Sequence, residues 1–209
     1  MRRQLVRAGK GIAVLAILLI LCCIVSNLRN VQKKHWGKLC DLDTAVDMKT
    51  AKQILQSEFQ DKEKSGISII FFSKQEKKVL ENAEWFRQVN TDVFEICGDS
   101  TLLFYNGYPL EPVDQKGCLI GEKTVLALFG GKDNIGEEVI YDGNIYEIRG
   151  ILREKDIFVI QADEKTLLDN VGIFGRNEME QSGIAEWLQN AFGLSIHPYG
   201  ILDSCIFWL

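Results

Sequence analysis

The chain has 209 residues, with 24 Lys and Arg against 29 Asp and Glu, 46% apolar residues and three prolines. That balance excludes a collagen-like, low-complexity or wholly disordered chain, and the length suits one domain or one domain with an appendage. The charge is unevenly spread: residues 1–35 hold seven basic side chains and no acidic one, which leaves 17 basic and 29 acidic side chains, a formal −12, over residues 36–209. A body this acidic lacks the Lys and Arg that neutralise phosphates, so nucleic-acid binding is set aside.

Gly11 to Val25 is an unbroken apolar run without a charged or strongly polar residue. Leu5, Val6, Ala8 and Leu28 extend it, and Arg7 and Lys10 can reach the interface along their aliphatic stems. A helix over about residues 5–28 is then long enough to cross a bilayer. The rival is a cleaved signal peptide, but Ser26-Asn27-Leu28-Arg29 offers no small-x-small cleavage site. Neither Cys22 nor Cys23 follows the small residue that a lipoprotein signal requires. Arg2, Arg3, Arg7 and Lys10 outweigh Arg29, Lys33 and Lys34, which favours a cytoplasmic N-terminus and an extracytoplasmic body. The expected location is the cell membrane, crossed once.

Of six cysteines, Cys22 and Cys23 fall in the apolar run, while Cys40, Cys97, Cys118 and Cys205 are widely spaced. No Cys-x-x-Cys and no neighbouring histidine supports a zinc site. Outside the cell a disulfide is permitted, and Cys97 with Cys118 is the one pair to consider; the alternative is two small buried residues at strand positions. His35 and His197 are too far apart in sequence to suggest a shared site.

Along the body, Asp43–Lys64 reads as a weakly amphipathic helix carrying Val46, Ile54, Leu55 and Phe59, ended by Gly66. Ile67–Phe72 is a buried-strand signal. Ser73-Lys74-Gln75-Glu76 matches a capping box, which predicts a helix through Val79, Leu80, Ala83 and Phe86. Asp92–Cys97 and Thr101–Tyr105 read as strands, with Asn106-Gly107 as a turn. Cys118–Ile120 is a short strand, and Glu122–Phe129 a helix with Val125, Leu126, Leu128 and Phe129 inward and Gly130-Gly131 as its stop. Val139–Tyr141 and Ile145–Leu152 form a hairpin around Asp142-Gly143-Asn144. Asp156–Gln161 and Val171–Phe174 are further strands. A last helix starts at Asn177, buries Ile184, Trp187, Leu188 and Ala191, and stops at Gly193. Strands interrupted by helices, with one clear hairpin, predict an α+β domain with a mixed sheet.

Catalytic signatures are missing. There is no Gly-x-Ser-x-Gly and no His-Glu-x-x-His. Phe129-Gly130-Gly131-Lys132-Asp133 resembles a phosphate loop only superficially, since it lacks the earlier glycine and the Ser/Thr for Mg²⁺. Asp99, Asp114 and Glu122 are better read as a solvated acidic face than as acid–base groups. Trp85, Tyr105 and Tyr108 either form a contact surface or cover strand edges. No catalytic, cofactor-binding or metal-ligating residue is assigned, and the chain is read as a non-enzyme.

One block carries family information. Cys118-Leu119-Ile120-Gly121-Glu122, Leu128-Phe129-Gly130, Ile135-Gly136, Asp142-Gly143 and Gly150-Ile151-Leu152 follow one another over residues 118–152. This block resembles the extracytoplasmic core domain of MacB-like permeases of ABC transporters. There a strand leads into a helix closing on Leu-Phe-Gly, followed by an Ile/Val-Gly pair, a Gly-containing turn and a strand ending in Gly-Val/Ile-Leu. Gly121 departs from the family, which usually has a polar helix cap there. The resemblance implies an anchor over 1–35, an amphipathic stalk helix over 36–66, an extracytoplasmic α+β core over 67–200 and an apolar tail over 201–209. It implies a non-catalytic part of an export or signal-relay complex, working with a multi-pass permease partner and a separate ATPase. Such permeases continue into three further membrane helices, so the expectation is a split, truncated or standalone form. The alternative is an anchored binding or adaptor module of the same fold without an ATPase.

The missing cleavage site yields a first test. Intact-mass measurement of the membrane-extracted protein is expected to return the full chain. A mass short by roughly 25–30 residues, the usual extent of a signal peptide, would refute the anchor.

Overall fold

The computed structural model describes residues 37–65, 68–82, 84–104, 108–131, 133–153, 155–175 and 178–198. The expected anchor and its flanks, the Asn106-Gly107 turn, the Asn177 cap and the 201–209 tail lie outside these residues. Among the described residues no helix is long and apolar enough to cross a membrane.

The strands are β1 (Gly37–Asp47), β2 (Ser68–Asn82), β3 (Arg87–Cys97), β4 (Gly117–Gly121), β5 (Glu138–Tyr141), β6 (Asn144–Leu152), β7 (Ile157–Gln161), β8 (Leu167–Phe174) and β9 (Ile196–Pro198). The helices are α1 (Met48–Ser65), α2 (Glu122–Phe129) and α3 (Glu178–Phe192). Pairing runs β3-β7-β4-β6-β5-β2-β8-β1-β9, and β2 also pairs with β3. That extra pairing closes β2, β3, β7, β4, β6 and β5 into a six-stranded barrel, with β8, β1 and β9 as an outer sheet continuing from β2. Two pairs are parallel, β3 with β7 and β4 with β6, and the rest antiparallel. The expected α+β mixed sheet is the fold observed.

Strand alternation divides the core. On β2, Ile69 and Phe71 enter a cluster with Met48, Ala51, Ile54 and Leu188, between the outer sheet and helices α1 and α3. Ile70 and Phe72 face the other way and join Phe94, Ile96, Leu103, Phe104 and Val159. Leu80, farther along β2, enters the barrel interior with Val93, Cys118, Ile120, Val139, Phe158 and Ile160. Val125 and Leu128 of α2 pack into that same interior cluster. Burial on both faces explains the near-continuous apolar runs of β2, β4 and β7.

Three local expectations are corrected. The helix expected from Asp43 begins only at Met48, and Gly37–Asp47 is a strand held by β8 on one side and β9 on the other. The true start signal is Asp47, whose carboxylate accepts the Thr50 amide at 2.7 Å as an N-cap does. Strand and helix belong to the same compact unit as the rest of the described body, so the 36–66 stalk is replaced by an integral part of the domain. The helix expected from Ser73 is instead the second half of β2. The Ser73 hydroxyl faces Glu95 across the sheet at 3.3 Å rather than capping a helix, and ten residue pairs with β3 override the local signal. A bulge between Gln75 and Lys78, with Lys77 at φ +52°, takes up the irregularity. Val79 and Phe86, expected inward, are exposed. Finally, Thr101 and Leu102 lie in a 3₁₀ turn, Ser100–Leu102, capped by the Asp99 carboxylate on the Thr101 amide at 2.9 Å.

Helix α2 matches its expected bounds, and Gly130 at φ +75° is its left-handed cap. Asp142 and Gly143 both have positive φ, as a tight hairpin turn demands. The structure also accounts for Gly121. A Cβ there would sit 2.3 Å from the Lys155 carbonyl oxygen, and that carbonyl accepts the Lys123 amide at 3.2 Å. A backbone group thus satisfies the helix start, where a polar side chain has no room. Gly121→Ser should therefore lower stability by about 1–3 kcal/mol, the usual cost of overpacking, although serine is ordinarily the better cap. Urea unfolding midpoints test this, and an unchanged or raised midpoint would contradict the close approach.

Candidate functional site at the barrel mouth

Strand β3 carries Glu95 on the barrel's inner side, opposite Ser73 on β2 and Ile160 on β7. The sequence places it there by alternation, since Val93 two residues earlier is also interior. Glu95 Oε2 accepts hydrogen bonds from Ser73 Oγ at 3.3 Å and Gln75 Nε2 at 3.1 Å. Tyr141 ends β5 and Tyr146 lies on β6, each with its ring centroid 5.7 Å from that of Phe158. Together they line a cavity of about 690 Å³ whose outer wall is the Asp142–Asn144 turn.

Burial pushes the Glu95 carboxyl above the ordinary glutamate range, against the opposing hydrogen bonds from Gln75 and Ser73. Burial, with Glu95's charge adding to it, pushes the Tyr141 phenol up to about 12, and Tyr146 is raised for the same reasons. At the rim, Arg149 Nε donates to Asp114 Oδ2 at 2.9 Å and its guanidinium also pairs with Glu147. Burial would raise Asp114, but Arg149 and the Lys116 and Gly117 amides outweigh it and hold the carboxyl below its usual range. The arrangement is that of a lined, acidic, partly aromatic recess, matched in charge to a cation and offering hydrogen-bond acceptors.

The residues considered in the sequence do not converge here. Asp99 caps the 3₁₀ turn, Asp114 ties a loop to β6, and Glu122 opens α2. Trp85 and Tyr108 are exposed; Tyr105 lies outside the described residues. Cys97 and Cys118 are free, buried thiols in different core clusters rather than a disulfide. Burial raises the thiols of Cys40 and Cys97 to about 11 and that of Cys118 further still. His197 Nε2 lies 2.7 Å from Asp43 Oδ1, joining the ends of β9 and β1. Sequence reasoning missed Glu95 and Thr124. Thr124 is buried in α2 and donates to Asp156 at 2.9 Å, beside Thr91. A polar residue at an inward-facing strand or helix position was the available signal for both.

This architecture is shared with the extracytoplasmic regions of ABC-type transporters. It is similar to the periplasmic region of MacB from Actinobacillus actinomycetemcomitans, with a TM-score of 0.60 and 10% identity, covering 86% of this chain and 96% of that one. It is similar too to the extracellular domain of the noncanonic ABC-type transporter YknZ from Gram-positive bacteria, with a TM-score of 0.58 and 12% identity, covering 79% of this chain and all of that one. At such identities the likeness is one of fold. No family model and no curated protein matches the sequence.

The raised Glu95 carboxyl sets a pH dependence. Above its folded-state value the folded protein bears the cost of a buried charge. That cost is relieved as pH falls through the folded value towards the ordinary 4.5. Glu95→Gln keeps the acceptor oxygen and removes the charge. The variant should be more stable than wild type at neutral pH, and the two should converge below the ordinary glutamate value. Unfolding midpoints in both conditions check this, and an equal difference in both would rule out the buried charge as its source.

Proposed function

We propose that the chain is a membrane-anchored extracytoplasmic domain of a MacB-like ABC-type transporter permease system, non-catalytic in itself. The observation that carries this reading is the match of the body to nearly the whole length of two transporter extracytoplasmic domains. The charge asymmetry agrees with it: a basic, apolar N-terminal segment followed by an acidic body. The motif block over residues 118–152 folds as β4, α2, β5 and β6. In this reading the cytoplasmic membrane, a multi-pass permease partner and a separate ATPase complete the system, and the domain acts mechanically.

The layout suits that role. β1 begins at Gly37, directly after the N-terminal segment in sequence, and is hydrogen-bonded along both edges, to β8 and β9. A pull on the segment would load β1 in shear, across many backbone bonds at once. β8 passes that load to β2, which belongs to the barrel.

The test uses Val113, which is highly exposed. The single cysteine of Val113→Cys should react with a membrane-impermeant maleimide on intact cells. Labelling only after lysis would overturn the extracytoplasmic placement. Cross-linking from the N-terminal segment, read by mass spectrometry, should also recover a multi-pass protein; recovery of the monomer alone across several positions would favour the anchored adaptor.

A further inference from the structure

A second cavity, of about 750 Å³, lies away from the barrel mouth, between the start of α1 and the loop over residues 110–115. Its size is that of a small-molecule site. Its floor is apolar: Met48, Ile69 and Cys97 are buried, and Leu55 packs on the same cluster. The opposite wall is fixed, because Leu110 is buried and its amide donates to Ser100 Oγ at 2.8 Å.

Gln161, at the end of β7, lines this cavity and is only 4% exposed. Its Nε2 donates to the carbonyls of Leu110 at 3.1 Å and Gly98 at 3.4 Å. Two carbonyls can only accept, so the amide orientation is determined and the oxygen points elsewhere. That oxygen, Oε1, is buried and has no hydrogen-bond partner. A buried acceptor without a donor is costly, and a ligand that supplies one recovers the loss. Around the same cavity stand three carboxylates, Asp99, Asp163 and Glu164, against one ammonium, Lys52. Asp163 stays ionised: burial raises its carboxyl, but the Lys165 and Thr166 hydrogen bonds hold it below the usual range.

We infer that this cavity binds a small amphipathic amine, its apolar body on the Met48–Ile69–Cys97 floor and its N–H donating to Gln161 Oε1. An apolar floor selects the body, the orphan acceptor demands a donor, and the surplus of carboxylates favours a cationic one over an anion. The inference goes beyond the transporter reading and does not depend on it.

Ligand-observed NMR titration of the full chain in lipid nanodiscs, with empty nanodiscs as the blank, tests it. The probes are 2-phenylethylamine and 3-phenylpropionate, alike in their apolar part and opposite in charge. The amine should bind saturably and the carboxylate should not. Gln161→Leu should weaken the amine about tenfold, the effect of losing one hydrogen bond of about 1.4 kcal/mol. Because that variant also breaks the bonds to Leu110 and Gly98, Gln56→Trp is the second arm. It places an indole in the cavity from an exposed helix position, leaves those bonds intact and should abolish binding. Equal binding of the two probes, binding unaffected by Gln56→Trp, or no binding of either probe, as for a cavity holding only water, would each overturn the proposal.

Discussion

Strand β2 is the element on which the rest of the structure depends. Its fifteen residues pair with β8 at the beginning, with β3 over most of its length and with β5 near the end. It is therefore the one strand common to the outer sheet and the barrel. Its side chains supply all three core clusters, two by alternation at Ile69–Phe72 and the third at Leu80. Buried backbone donors and acceptors must be paired, and a strand passing between two sheets can achieve this only by changing partners. The bulge at Gln75–Lys78 lies where that change is made, between the β8 and β5 pairings. Any slip in register would move three sets of apolar side chains to the wrong face at once.

The same constraint explains where polar groups are allowed inside. Glu95 and Thr124 face the interior, but each is met by a partner from a distant part of the chain: Ser73 and Gln75 for the first, Asp156 and Thr91 for the second. The Lys155 carbonyl caps α2 from the loop between β6 and β7. These bonds span large sequence separations and set how α2 seats on the barrel. Where the pairing is incomplete, as at Gln161, the structure has a cavity instead.

Legibility in the sequence followed the range of the interactions. Helix α2, its Gly130 cap and the Asp142-Gly143 hairpin were readable because each is fixed by residues within a few positions of one another. The strands from Cys118 to Gln161 were readable because burial on both faces leaves apolar runs. The errors fall where a distant partner wins. Ser73-Lys74-Gln75-Glu76 carries a genuine capping pattern, yet β3 lies ready to pair and the residues extend. Gly37–Asp47 looks polar because β1 alternates and exposes part of each face, so its strand character depends on β8 and β9. Gly121 departs from the family pattern for a reason no local reading contains, the approach of the Lys155 carbonyl. The barrel-mouth recess was not legible at all, since Glu95, Tyr141 and Tyr146 are brought together only by ring closure.

Ring closure has one more effect. A strand at the margin of a sheet is a template for another chain, and six of the nine strands here form a circuit in which β2 and β3 are partners rather than opposite ends. The series terminates at β9, which is three residues long and ends in Pro198, a residue with no amide hydrogen to offer. Copies of the protein confined together on a two-dimensional surface would meet at high local concentration. With the sheet closed at one end and blunted at the other, such encounters offer little ladder for edge-to-edge polymerisation.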